Sequence, residues 1–142
     1  MAFHNPPAAE IRALLKRIQR IAVVGLSPNP ARPSHGVARA LQRFGYQIIP
    51  VRPAVDEVLG EKAYPDLRSI PGTVNLVDVF RAPEHVDAIV DDCIAIRAPA
   101  LWLQEGVVNE PAAERARGAG IMVVMDRCIY KDYRALMGGT HA

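Results

Sequence analysis

The chain has 142 residues, a length that fits one domain, and half of them are hydrophobic, enough to build a core. Its 17 Lys and Arg stand against 15 Asp and Glu, a formal charge of +2, which argues against a nucleic-acid or membrane-surface protein but leaves room for a local basic pocket. The two cysteines, Cys93 and Cys128, make neither a disulfide framework nor a metal-ligand spacing. The Met1–His4 start carries no signal pattern, and no apolar run nears the ~20 residues of a membrane span, so a reducing cytoplasm is the expected compartment.

Asn5-Pro6-Pro7 opens a first helix in which Ile11, Leu14, Leu15 and Ile18 recur at helical spacing, while Arg12, Lys16, Arg17 and Gln19 take the solvated side. Ile21–Val24 reads as the first strand, an unbroken apolar run of the kind buried on both faces. Gly25 ends it. The loop from Leu26 to Pro33 holds Pro28, Pro30 and Pro33, and Ser34 is expected to cap the next helix. Val37, Leu41 and Phe44 form that helix's inner stripe, and Gly45 suits a left-handed residue after its end.

Gln47–Val51 is the second strand, stopped by Arg52-Pro53. An irregular stretch follows, with a turn at Gly60 and the Tyr64-Pro65 pair. Val74–Val79 is the third strand. Pro83 starts a helix at the favoured first position, with Val86, Ile89, Val90 and Cys93 on its buried side. Ala100–Leu103 is the fourth strand. Asn109 can cap a helix running through Pro111 to Arg117, which Gly118 or Gly120 ends. Ile121–Met125 is the fifth strand, and a short helix covers Tyr130–Met137.

Strands alternating with helices imply parallel pairing and right-handed crossovers. The expected fold is therefore α/β: a single Rossmann-like, doubly wound parallel sheet of about five strands, helices on both faces, in the order 3-2-1-4-5. Residues 1–20 form an N-terminal helical segment packing on the domain, 21–137 the domain itself, and 138–142 a tail.

In open α/β sheets ligands sit outside the carboxyl ends of the strands. The informative segments are then Gly25-Leu26-Ser27, Val51-Arg52-Pro53, Phe80-Arg81, Gln104-Glu105-Gly106 and Asp126-Arg127-Cys128. Gly25 permits a tight turn and close approach to a ligand. Ser27 and Ser34 offer hydroxyls, Arg32 a charge-assisted contact to phosphate, and the start of the Ser34 helix free N–H groups for an anion. Only one glycine of a GxGxxG pattern is present, and where dinucleotide folds place a ribose-binding carboxylate the second strand ends in Arg52. A cation there favours a phosphorylated ribose: coenzyme A, with its 3′-phosphate, or NADP, with its 2′-phosphate.

These residues carry a resemblance. Ile21-Ala22-Val23-Val24-Gly25-Leu26-Ser27, Arg32-Pro33-Ser34, Ile49-Pro50-Val51, Val77-Asp78-Val79-Phe80-Arg81, Leu101-Trp102-Leu103-Gln104 with Gly106, and Val124-Met125-Asp126-Arg127-Cys128 follow one another as in the stand-alone CoA-binding domain family. That family is similar to the N-terminal CoA-binding domain of the succinyl-CoA synthetase α subunit. The resemblance implies coenzyme A or acyl-CoA as ligand. Gly25, Leu26, Ser27, Arg32, Pro33 and Ser34 would hold the pyrophosphate. Val51, Arg52 and Pro53 would meet the adenosine and its 3′-phosphate, Phe80 and Arg81 would flank the nucleotide, and Gln104 and Gly106 would lie near the pantetheine. The family often reads Val-Asn-Pro and then a basic residue at the second strand end; here Val51-Arg52-Pro53-Ala54 puts the cation in the Asn position.

No nucleophile–base set or metal motif can be picked out, and of His4, His35, His85 and His141 only His35 falls near the expected pocket. The reading is a binding module without catalysis of its own, the alternative being an NADP-dependent oxidoreductase or another nucleotide-using enzyme. Cys93 and Trp102 read as core. Cys128, beside Arg127 at the ligand edge, reads as a small buried residue or else as a thiol able to meet that of CoA. The sequence leaves the oligomeric state open, a homodimer or a protein partner included.

Overall fold

A computed structural model describes residues 3–137; the tail expected over 138–142 lies outside them. The elements in order are α1 (Ala8–Arg17), β1 (Arg20–Val24), α2 (Pro33–Arg43), β2 (Gln47–Val51), β3 (Glu57–Val58), β4 (Glu61–Lys62), β5 (Leu76–Val79), α3 (Val86–Ala95), β6 (Ala100–Leu103), α4 (Glu110–Gly118), β7 (Met122–Met125) and α5 (Ile129–Leu136). Short 3-10 turns at Leu67–Ser69 and Pro83–His85 precede β5 and α3.

Five strands pair in parallel in the order β2-β1-β5-β6-β7, and β3-β4 is a separate antiparallel hairpin. The sheet is buried on both faces. Ala22, Val24, Val77, Val79, Leu101 and Leu103 meet α3 and α4 on one side. Ile21, Val23, Leu76, Trp102 and Val124 meet α1, α2 and α5 on the other. That is why the strands read as unbroken apolar runs rather than alternating ones.

The strand order corrects the sequence expectation. Counting only the strands of the main sheet, it is 2-1-3-4-5, not 3-2-1-4-5. The cause is the connection from β2 to β5. With right-handed crossovers, the face a connection uses sets the direction in which the next strand is added. The β1-α2-β2 unit crosses on the α2 face, where Ala38 and Leu41 are buried. The next connection crosses on the opposite face, where its Leu67, Ile70 and Val74 pack with α3 and α4. The chain therefore turns back past β1 and lays β5 on its far side. The switch point falls between β1 and β5, between Gly25 and Phe80.

Three local departures matter for the site. Arg32, not Ser34, is the N-cap residue of α2, since the helix already begins at Pro33. Pro83 opens a 3-10 turn rather than α3 itself. Pro50 lies within β2, which is tolerable because β2 is an edge strand, and that edge is covered by Tyr64, whose N–H donates to Pro50 O at 3.0 Å while Arg52 N–H donates to Tyr64 O at 2.8 Å. Asn109 caps α4 as expected, its Oδ1 accepting from Ala112 N–H at 3.1 Å.

Candidate functional site

The carboxyl ends of the strands open into a cleft of about 640 Å³. Of the residues expected to bind a ligand, Gly25, Ser27, Arg32, Pro33, Ser34, Arg52, Phe80, Arg81 and Gln104 line it. Leu26 does not: it is fully buried among α1, α2 and α5. Val51 is in the opposite core, and its carbonyl accepts from Gly25 N–H at 2.9 Å. Pro53 is exposed outside the lining, and Gly106 turns its N–H to Asp126 Oδ1 at 2.8 Å. Val37, Ala82, His85, Glu105, Val107 and Cys128 complete the wall. His85, not His35, is the histidine of the cleft. The short turn at Pro83–His85 carries it back over the end of β5, a position that the strand-end rule reaches once it includes the first turn after each strand.

Gly25 is required by the protein's own backbone. Its φ is +85°, and a Cβ built there would lie 2.4 Å from Phe80 O and 2.9 Å from Arg81 Cδ. Phe80 N–H donates to Val24 O at 2.9 Å, so the β1 and β5 ends are clasped together at the switch point. The loop after it is already ordered by its own polar groups. Ser27 N–H donates to Ser34 Oγ at 3.0 Å, Asn29 N–H to Ser27 Oγ at 3.1 Å, and Ala31 N–H to Asn29 Oδ1 at 3.0 Å.

This loop chemistry changes the expected anion site. Pro33 has no N–H, and that of His35 turns back to Arg32 O at 3.1 Å. The start of α2 therefore contributes less than a helix with four free N–H groups would. Positive charge comes instead from Arg32, Arg52 and Arg81, which reach the cleft from the β1–α2 loop, the end of β2 and the end of β5. Arg52 is steadied by donation from Nη1 to Gly25 O at 3.3 Å.

The far wall is stapled. Ile129 N–H donates to Gln104 Oε1 at 3.2 Å, Trp102 Nε1 to Arg127 O at 2.7 Å, and Arg127 forms a two-pronged pair with the buried Asp132 at 2.6 and 2.8 Å. Hydrogen bonding to Asp132 holds the Arg127 guanidinium above its ordinary pKa and ties the side chain to α5. Trp102 is wholly buried, as read from the sequence. Cys93 is buried against α4, and desolvation, then the charge of Asp92, pushes its thiol up to about 12. Cys128 is also buried but faces the cleft.

The model of the CoA binding domain family matches residues 19–134. The chain belongs to that family. It is 46 % identical over 125 residues to the uncharacterized protein YneT of Bacillus subtilis (strain 168), covering 88 % of this chain and 93 % of that one. The solved structure of a hypothetical protein from Pyrococcus horikoshii OT3 is similar at TM-score 0.90 and 34 % identity, over 97 % of this chain and 100 % of the other. Half of this chain, 51 %, also aligns at 32 % identity with the α subunit of an ADP-forming acetate–CoA ligase II from Pyrococcus furiosus, of which it covers 16 %. Among the described residues no helix is long and apolar enough to cross a membrane.

Proposed function

We propose that this domain binds coenzyme A across the carboxyl edge of its sheet and acts as a binding module without catalysis of its own. Three arginines from three separate segments, Arg32, Arg52 and Arg81, facing one cleft at the switch point carry this reading. A ligand with a pyrophosphate and a further ribose phosphate satisfies all three, and charge-assisted contacts of this kind are the strong ones. The pyrophosphate meets Arg32 and the Ser27–Ser34 loop, the 3′-phosphate meets Arg52, and the pantetheine runs toward Gln104. Two free thiols suit a reducing cytoplasm.

Thermal shift with CoA, dephospho-CoA, NADP and NAD tests the reading. CoA at about 100 times its dissociation constant adds roughly 2.7 kcal/mol of stability. Dephospho-CoA binds more weakly, and Arg52→Ala lowers CoA affinity by about tenfold while leaving dephospho-CoA nearly unaffected. A larger shift with NADP than with CoA would favour the oxidoreductase instead.

A second expectation concerns the thiols. Alkylation of the native protein modifies Cys128 and spares Cys93, which reacts only on unfolding. CoA at saturation slows Cys128 labelling by about tenfold or more, because the occupied cleft shields it. Equal rates with and without CoA would show that the pantetheine does not reach β7.

A further inference from the structure

The strand order arranges the cleft walls along a line: Arg52 after β2, then Arg32 in the loop after β1, Arg81 after β5, Glu105 after β6 and Cys128 after β7. Neighbouring strands lie about 4.8 Å apart, so the Arg52 and Glu105 strands are three spacings, roughly 14 Å, from each other. Charge is graded along that line. The cations belong to the first three strands, and Glu105 is the one carboxylate among the described lining residues.

Glu105 stands on the open side of the wall. Its side chain is 55 % exposed, and its partner, Lys131 Nζ, at 3.1 and 3.2 Å from the two carboxylate oxygens, is 67 % exposed and outside the lining. An exposed pair of this kind is weak and screened. Of the other charged groups at this end, Arg127 is paired with Asp132, and Asp126, outside the lining, accepts from the Gly106 N–H. A molecule lying across the cleft with its phosphates at the arginines thus presents its other end to a negative group.

We propose that Glu105 is a specificity-determining residue: the cleft takes CoA as the free thiol or with an uncharged acyl group, and discriminates against acyl groups that end in a carboxylate. The proposal rests on the CoA reading above. Repulsion between the acyl carboxylate and Glu105 supplies the discrimination, and it weakens as salt screens it.

Calorimetric titration of the full chain with CoA, acetyl-CoA and succinyl-CoA tests this. In the wild type succinyl-CoA binds about five- to tenfold more weakly than acetyl-CoA, and the gap shrinks at high salt. In Glu105→Gln the ratio of the two affinities falls to within about twofold. Succinyl-CoA binding as tightly as acetyl-CoA or tighter would overturn the proposal, the latter pointing to Lys131 as the group met by the ligand. A gap unchanged in Glu105→Gln would overturn it as well. CoA binding with no such gap removes this inference alone, whereas failure of CoA itself to bind removes the parent reading and this one together.

Discussion

Gly25→Ala destabilises the domain by about 3–4 kcal/mol in urea denaturation, a large share of the 5–15 kcal/mol typical of a domain. Two costs add. A φ of +85° is unfavourable for an L-residue, by about 1–2 kcal/mol. The new methyl also lies 2.4 Å from Phe80 O, a backbone atom that cannot swing aside, so the β1 and β5 ends must separate. Separation strains the Phe80 N–H to Val24 O bond and moves Arg81, whose Cδ is the next atom in the way. Loss of ligand affinity accompanies the loss of stability. Gly36→Ala is the control: it lies inside α2, and nothing stands within 4 Å of its added Cβ. It gains stability by about 0.5–1 kcal/mol from helix propensity. A Gly25→Ala variant as stable as wild type would show that the switch point is not closed as described.

Asp78→Asn changes the pH dependence of stability. Asp78 stands in β5 between Val23 of β1 and Trp102 of β6, fully buried on the face covered by α1, α2 and α5. Neither carboxylate oxygen has a hydrogen-bond partner among the described residues, and burial alone pushes its pKa well above the usual carboxylate range. The folded state thus holds a proton that the unfolded chain releases above about pH 4. Stability linked to this group is present at acid pH. It falls by up to about 1.4 kcal/mol per pH unit as pH rises from the unfolded pKa toward the folded one. The Asn variant does not titrate, so its stability relative to wild type climbs between pH 5 and pH 8. Subtracting the two curves cancels every other titrating group. A difference that is flat over this range would mean that Asp78 is ionised or solvated in the folded protein.

Asp78 lies two residues before the Phe80–Arg81 end that Gly25 clasps, so the central strand beneath the arginines carries a group poorly suited to burial. The walls above are held by hydrogen bonds internal to the protein: Ser27 to Ser34 on one side, Gln104 to Ile129 and Gly106 to Asp126 on the other. A cleft ordered in this way loses little conformational freedom on binding, which favours affinity.

The linear pattern of residues determined the α/β class, the five parallel strands and the strand-end loops that line the cleft. Each of these follows from local spacing: apolar runs of four or five residues, helical stripes, and Gly, Pro and Asn at element boundaries. Gly25, Ser27, Arg32, Arg52, Arg81 and Gln104 were legible for the same reason, since a strand end can be located from the sequence alone. Strand order was not. It depends on which face of the sheet the 52–75 segment crosses, and the apolar side chains Leu67, Ile70 and Val74 fit either face until the helices beyond them are packed. His85 entered the cleft through the turn after β5, whereas Glu105 already stood in a strand-end segment, and the free N–H groups expected at α2 were reduced by Pro33 and by the His35 bond back to Arg32. Local chemistry writes the elements; the direction in which they stack, and so the sequence of charges along the cleft, is a property of the assembled sheet.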